Sequence, residues 1–370
     1  MTQTFQALRF APPEKSLFFP TLRKRVDAYF SENNISKNAN GEMVVKAIVL
    51  FSGYLLPLLY MILARPESAW SLLLWVFMGV AVAGIGMSVM HDANHGAFSK
   101  SQRTNDWVGY SLNLLGGAVF NWKLQHNILH HTYTNIPTLD EDIKNRGVLS
   151  FHPYSRIKKM QRFQHIYAIF FYGLITLYWV IGKDWVQLAQ FTRSGVNKNT
   201  PAENWNIGIR IALIKIFYFL VLLGLPLAAG MPAGLVIGGF LLMHFVAGVI
   251  LTIIFQMAHT VEGTSHPMPN EQGVIENDWA IHQMETTVNF SRKNRLLSWY
   301  VGGLNYQVEH HLFPRICHVH YPKLAPIVEA TAREFGVPYL ENKTFGDALA
   351  SHFRLMKTVG TLPSWNEAIG

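Results

Sequence analysis

The sequence predicts an all-α integral membrane protein, with four transmembrane helices in two hairpins, interfacial helices, and a cytosolic helical cap carrying a histidine-rich di-metal site. Three observations predict it. Half of the 370 residues are hydrophobic and only 15% are charged, whereas soluble domains carry about 25% charged residues. Four stretches stay apolar for about 20 residues, the helix length that a hydrocarbon core about 30 Å thick demands. The 16 histidines cluster beside the ends of those stretches.

Residues 1–43 are polar and of mixed charge. They hold no short apolar run followed by a small-residue cleavage site, so they read as a cytosolic N-terminal segment, with a short surface helix at Thr21–Asn33. Val44–Ala64 and Trp70–Met90 form the first hairpin, joined by the turn Arg65–Ala69. Ile209–Ala229 and Ala233–Met257 form the second, joined by Gly230, Met231 and Pro232. Lys46 and Lys215 fall within a turn or two of span ends, where a long side chain can snorkel to the interface. Two further stretches, Trp107–Phe120 and Ile166–Gly182, are shorter or less apolar and read as interfacial or re-entrant.

Charge orients these spans. The two short turns contain one basic residue, Arg65. The N-terminal segment, the 100–198 loop and the C-terminal segment contain 6, 12 and 9 Lys and Arg. Cytoplasmic loops hold the Lys/Arg excess, so the turns face outward and both termini are cytoplasmic. The host would be the cell inner membrane of a bacterium or the endoplasmic reticulum of a eukaryote. If Ile166–Gly182 crossed fully, the basic segments would lie on opposite sides. Past the fourth span the composition turns soluble. Tyr321–Phe335 reads as a helix stopped by Gly336, and Thr344–Val359 as another. The expected organisation is therefore 1–43, a membrane and catalytic domain over 44–320, and C-terminal helices over 321–370.

The net charge is +8, but the basic residues are spread between apolar spans, so a nucleic-acid partner is excluded and the lipid bilayer is the partner expected. The clusters Arg23-Lys24-Arg25, Lys158-Lys159 and Arg292-Lys293-Arg295 would grip phosphates or anionic head groups, or simply follow the orientation rule. With one cysteine, Cys317, neither an intrachain disulfide nor a cysteine-based metal cluster can form.

The histidines carry the functional argument. His91-Asp-Ala-Asn-His95 closes the second span, His126-Asn-Ile-Leu-His130-His131 follows it, His259 closes the fourth span, and Gln307-Val-Glu-His310-His311 comes last. All fall on one predicted face of the membrane. Residues i and i+4 share a helix face, which suits His91/His95 and His126/His130. His131 lies about 100° further round and would reach a second metal. Imidazole suits Zn, Cu, Fe and Ni. Eight histidines exceed the needs of one ion, so two metals are implied. A closed structural zinc site needs only four ligands, and the carboxylate pairs of soluble di-iron bundles are missing from the spans. An all-nitrogen site beside a lipid-embedded core fits O₂ chemistry on an apolar substrate. Gln307 could ligate through its amide oxygen or hydrogen-bond a ligand histidine. Asp92, Asp140, Asp142, Glu309 and His282 are candidates to hold the far nitrogens of the ligands. His244 sits mid-span and faces the bundle interior. His152, His165, His266 and His352 read as surface residues, and His318 and His320 as packing or capping ones.

These strings resemble the membrane fatty acid desaturase superfamily, with its three histidine boxes, over nearly the whole chain from the first span to about Pro326. Asn305-Tyr-Gln-Val-Glu-His-His-Leu-Phe-Pro314 is the most specific stretch. Its Gln307 resembles the front-end and linoleoyl-CoA desaturase-like group. The resemblance implies a non-haem di-iron centre ligated by His91, His95, His126, His130, His131, His310 and His311, with His259 as the extra ligand. It implies O₂ as co-substrate, a fatty acyl substrate as acyl-CoA or acyl-lipid, a cis double bond as product, and no catalytic residue apart from the ligands. No His-Pro-Gly-Gly haem motif occurs, so the expected electron donor is a separate ferredoxin or cytochrome b5 type protein with its reductase. A lipid hydroxylase of the same di-iron type would share the ligands. A membrane metal transporter or sensor would instead string ionisable residues along its spans.

Overall fold

A computed structural model describes residues 7–11, 17–144, 147–155 and 157–362. Residues 1–6 and 363–370 of the segments expected to be cytosolic, with Arg146 and Arg156 of the basic loop, lie outside the described residues. The described chain is predominantly helical. Five helices are long and apolar enough to cross a membrane: Gly41–Ala64, Ser71–Asn94, Lys159–Ser194, Pro201–Ala228 and Ala233–His259. The third contains the stretch Ile166–Gly182 inside a continuous helix of 36 residues. The chain divides into two compact units, each described by itself below.

The first unit comprises Asn40–Leu124 and Ile169–Thr252. Its opening helix begins where the Asn40 side chain accepts from Met43 N–H, satisfying one of the unpaired donors at a helix start. It ends where Arg65 turns left-handed, with φ 50°. Met43, Lys46, Leu50, Tyr54, Leu58 and Met61 form its buried stripe at helical spacing. Val44, Ile48, Leu56 and Leu63 are exposed on the rest of its surface, an apolar face that lipid would solvate. Helix Ser71–Asn94 packs on the one starting at Ala233 through small residues, which let backbones approach. A Cβ on Gly79 would lie 2.6 Å from the Met243 carbonyl oxygen, and one on Gly239 would strike Trp75.

Lys46 and Lys215 do not snorkel, because both are buried. The Lys215 ammonium donates to the carbonyls of Gly116 (2.5 Å) and Trp179 (2.9 Å) and to Asp184 Oδ2 (2.5 Å). Asp184 in turn accepts from Ala118 N–H and Trp179 Nε1. With every donor occupied, the charge is held inside the unit. His244 also faces inward, its Nε2 2.9 Å from Tyr218 OH and its Nδ1 3.1 Å from Thr176 Oγ1.

The second unit comprises Ala7–Ala39, Gln125–Ala168 and Ile253–Gly370. Its core is closed by the two ends of the chain. Helix Phe18–Glu32 buries Phe18, Leu22, Val26 and Phe30. Helix Tyr321–Glu334, followed by Gly336 at φ +66°, brings Leu324, Ala325, Val328 and Ala332 into the same cluster. The N-terminal helix expected at the surface is thus half of a core, because its four-residue apolar stripe has a partner about 300 residues away. Two short parallel strand pairs tie the unit further, Arg9–Phe10 with Val274–Ile275 and Asn289–Phe290 with Glu341–Asn342. The last helix, Phe345–Thr361, starts from a capping box between Thr344 and Asp347.

Two of the basic clusters are partly spent on ion pairs. Arg25 meets Glu334 at 2.7 Å. Arg292 meets Glu341 at 2.6 Å and Glu329 at 3.1 Å.

Candidate metal centre

Within the first unit, His91 and His95 lie at the end of helix Ser71–Asn94, one turn apart. Their ring centroids are 4.7 Å apart, and each ring packs edge-on against Trp122, at 5.8 and 5.7 Å. A π-helical stretch, Ile85–Val89, immediately precedes them. Such bulges re-aim the residues that follow and concentrate at functional sites. Asn94 holds the helix end in place, donating to the Gly109 carbonyl at 3.1 Å. Only glycine fits there, because a Cβ on Gly109 would sit 2.6 Å from Asn94 Oδ1. Asp92 Oδ1 lies 3.9 Å from His91 Nδ1, too far for a hydrogen bond.

The second unit gathers the other six histidines, all buried. The second group lies on a π-helix, Lys123–His130, whose hydrogen bonds run from i to i+5. That winding brings i and i+5 together, so His126 Nε2 and His131 Nε2 are 3.3 Å apart. The α-helical expectation had turned His131 about 100° away, and the local winding accounts for the difference. His126 and His130 still stack, with centroids 5.3 Å apart.

His130, His259 and His311 form a trio whose ring nitrogens lie within 4.8 Å of one another. In each, Nδ1 faces a different acceptor. For His130 it is Asp140 Oδ2 at 3.1 Å, with Asp142 Oδ2 at 3.5 Å. For His259 it is the Thr286 carbonyl at 3.2 Å, and for His311 it is Gln283 Oε1 at 2.7 Å. An acceptor at Nδ1 fixes the tautomer that leaves the Nε2 lone pair free for a metal. Gln307 lies among the Nε2 atoms, its Nε2 2.8 Å from that of His259 and 3.2 Å from that of His311. A half-turn of the amide exchanges Nε2 for Oε1, so this position can present a donor or an oxygen ligand. His310 and His311 pair with His131 in a second group of nitrogens within 4.8 Å, and His310 Nδ1 meets Tyr321 OH at 3.2 Å.

The residues fit a cation. Among the described residues His130 Nε2 and Gln307 Oε1 are buried without a hydrogen-bond partner, whereas most buried polar groups in proteins are satisfied. Burial strongly disfavours the His311 imidazolium, and the neighbouring His131 and His259 add to that, so its pKa lies well below the usual range. A ligand imidazole must be neutral. His130 differs. Burial would lower its pKa, but the Asp140 and Asp142 carboxylates outweigh burial and raise it. Asp140 is correspondingly lowered, the attraction of His130 overcoming its own burial.

Two candidates do other work. Glu309, one residue before His310 and so about 100° round the helix, accepts from Asn289 Nδ2 and Tyr339 OH, both at 2.8 Å. It braces the third group against the strand pair instead of holding a ligand. Burial, against these two donors, raises its pKa to about 7. His282 hydrogen-bonds the Thr134 backbone and packs 5.1 Å from the Phe10 ring. Its neighbour Gln283, not His282, faces a ring of the third group, at His311 Nδ1. His152 and His352, expected at the surface, are buried. The His352 Nδ1 lies 2.7 Å from the Thr260 carbonyl oxygen.

Sequence reasoning missed four residues that orient this site: Gln283, Thr134, Asn135 and Thr286. Asn135, at φ 56°, donates its backbone N–H to Asp140 Oδ2 at 2.9 Å and its side-chain amide to the His259 carbonyl at 2.8 Å. It stands four residues past His131, and its left-handed backbone suits asparagine.

A helical chain with apolar spans and nitrogen-only groups of this kind defines a membrane protein built to hold metal. The sequence model of the family described as "Fatty acid desaturase" matches residues 67–343. The chain is 35% identical over 366 residues to the sn-1 linoleoyl-lipid 6-desaturase of Arthrospira platensis, covering 98% of this chain and 97% of that one. It is 34% identical over 358 residues to the protein of the same name from Synechocystis sp. (96% and 99%). To the acyl-lipid (8-3)-desaturase of Physcomitrium patens it is 36% identical over 363 residues (95% and 74%). The chain belongs to the fatty acid desaturase family and is an oxidoreductase of fatty acyl chains.

Proposed function

We propose that this desaturase uses O₂ to place a cis double bond in the acyl chain of a membrane lipid, at two non-haem irons. The ligands in this reading are His91, His95, His126, His130, His131, His259, His310 and His311, with Gln307 as an oxygen ligand or a hydrogen-bond partner of a ligand. One observation carries it: in His130, His259 and His311, Nδ1 is committed to an acceptor while the rings converge, with the Nε2 atoms of His259 and His311 beside Gln307. Imidazole suits Zn, Cu, Fe and Ni; the desaturase family favours the redox-active iron among them, and the printed names of the relatives favour an acyl-lipid over an acyl-CoA.

Bound iron supplies the redox chemistry, in which O₂, two electrons and two protons become two waters as adjacent methylenes lose two hydrogens. The chain's own residues hold and exclude. Asp140, Thr286 and Gln283 keep three imidazoles in one tautomer. Trp122 walls the first pair. The apolar spans supply a dry path for a hydrocarbon that offers no polar handle. Electrons come from a separate ferredoxin or cytochrome b5 type donor with its reductase. The topology that suits the Lys/Arg distribution has four crossings, with Lys159–Ser194 lying in the interface or re-entering and both termini in the cytoplasm.

Expression in a host of known lipid composition, followed by mass-spectrometric location of double bonds within intact lipids, tests the reading. New double bonds confined to glycerolipids support it, and a product that gains oxygen instead of losing two hydrogens overturns it. Tags at Met231 and the C-terminus should label from opposite sides of the membrane.

A further inference from the structure

We infer that Gln283, which belongs to none of the three histidine groups, is a positioning residue for the metal centre. Its amide oxygen sets the tautomer of His311 and ties that imidazole to the helix of the second group. The inference rests on the reading of His130, His259 and His311 as metal ligands.

Gln283 is fully buried on the short helix Trp279–Thr286. That helix starts at Asp278, whose carboxylate accepts from the N–H groups of Ala280 and Ile281, so its register is fixed. Gln283 Oε1 lies 2.7 Å from His311 Nδ1 and 2.9 Å from Thr134 Oγ1. The Thr134 hydroxyl is also 2.7 Å from the His130 carbonyl and 3.3 Å from His311 Nδ1. Gln283 Oε1 and the Thr134 hydroxyl, whose single proton the two acceptors share, therefore join a ligand of the third group to the backbone of a ligand of the second.

The other end of the amide has no such use. Among the described residues Gln283 Nε2 is buried without a hydrogen-bond partner. A buried donor left unpaired is unfavourable, and a leucine or methionine would fill the same space without one. The position therefore gains from its oxygen rather than from packing. The orientation also decides chemistry. With Oε1 toward the ring, His311 carries its proton on Nδ1 and offers a lone pair at Nε2. With the amide turned over, Nε2–H would face Nδ1, the proton would move to the other ring nitrogen, and His311 could not bind metal there.

The same short helix serves two other ligands through its backbone and edge. The Thr286 carbonyl faces His259 Nδ1, and Trp279 Nε1 donates to the His131 carbonyl at 3.2 Å. Gln283 is its one side chain that acts on a ligand ring.

The test uses the full chain purified in detergent and freed of metal, then titrated anaerobically with Fe(II). Bound metal per chain, the dissociation constants and the thermal midpoint of the metal-free protein are read together. Gln283→Glu keeps an acceptor and should bind as wild type does. Gln283→Leu and Gln283→Met should weaken one of two sites by about 10–100-fold and lower the metal-free midpoint by no more than the stranding of one buried partner does. Wild-type affinity in both apolar variants overturns the inference, as does equal weakening in the glutamate variant. Wild-type protein that takes up no iron overturns the parent reading and this one with it.

Discussion

His244 in the first unit and His130 in the second are both buried imidazoles on helices, yet their nitrogens are spent differently. His244 gives one to Tyr218 OH and the other to Thr176 Oγ1. His130 gives Nδ1 to Asp140 and leaves Nε2 without a partner. The first is a closed account of donors and acceptors, and it holds neighbouring helices together. The second is open on one side, as a ligand must be. Burial alone does not mark a candidate ligand; a nitrogen left unmatched where other imidazoles converge does.

The sharpest way to break this comparison is to remove a candidate ligand. His126→Ala and His310→Ala should each abolish double-bond formation in expressing cells while the protein still inserts in membranes, which lipid analysis and membrane fractionation would check. Wild-type product from either variant would refute its role.

Acid should act on closed histidines next. Burial lowers His352 from its ordinary 6.5 to about 4, its hydrogen bond to Thr260 opposing that only in part. Between those values the unfolded chain takes up a proton that the folded one refuses. The contribution is therefore complete above about pH 6.5 and lost as pH falls toward 4, by up to about 3 kcal/mol. Thermal midpoints of the metal-free protein should fall over that window, less steeply in His352→Asn. A flat profile would contradict the assignment.

Asp140→Asn separates charge from geometry. It keeps an acceptor near His130 Nδ1 but removes the carboxylate, and iron affinity should drop by about 10–100-fold, measured by anaerobic titration. The smallest effect on metal is expected at the other pole. His244→Leu should cost about 1–3 kcal/mol of stability by stranding the Tyr218 hydroxyl, with iron content unchanged. Loss of iron in that variant would erase the distinction between the two kinds of histidine.

Much of this was legible in the sequence. Apolar run length gave four of the five long helices. The spacing of His91/His95, His126/His130/His131 and Gln307/His310/His311 gave the groups, because clustered imidazoles are rare for any other reason. Three things were hidden, each for a physical cause. The π-helical winding at Lys123–His130 has no composition of its own, so the closeness of His126 and His131 could not be foreseen. The acceptors at Nδ1 include a backbone carbonyl, which every residue owns, and a glutamine amide, which any loop can carry. Lys46 and Lys215 looked like interfacial anchors because position along a span is visible in sequence and burial is not, nor, for Lys215, is the partner that neutralises its charge, Asp184.

The pairing of helix Phe18–Glu32 with helix Tyr321–Glu334 has a consequence for biosynthesis. The ribosome must emit the chain as far as Ala332 before the earlier helix has its full set of partners, the first of which come only at about residue 280. At about 5–20 residues per second its apolar stripe waits roughly 15–60 s after it emerges. His310 and His311 emerge just ahead of that closing helix. Assembly of this unit therefore follows translation, and shelter for the nascent N-terminus, by a chaperone or by the bilayer surface, becomes part of how the enzyme matures.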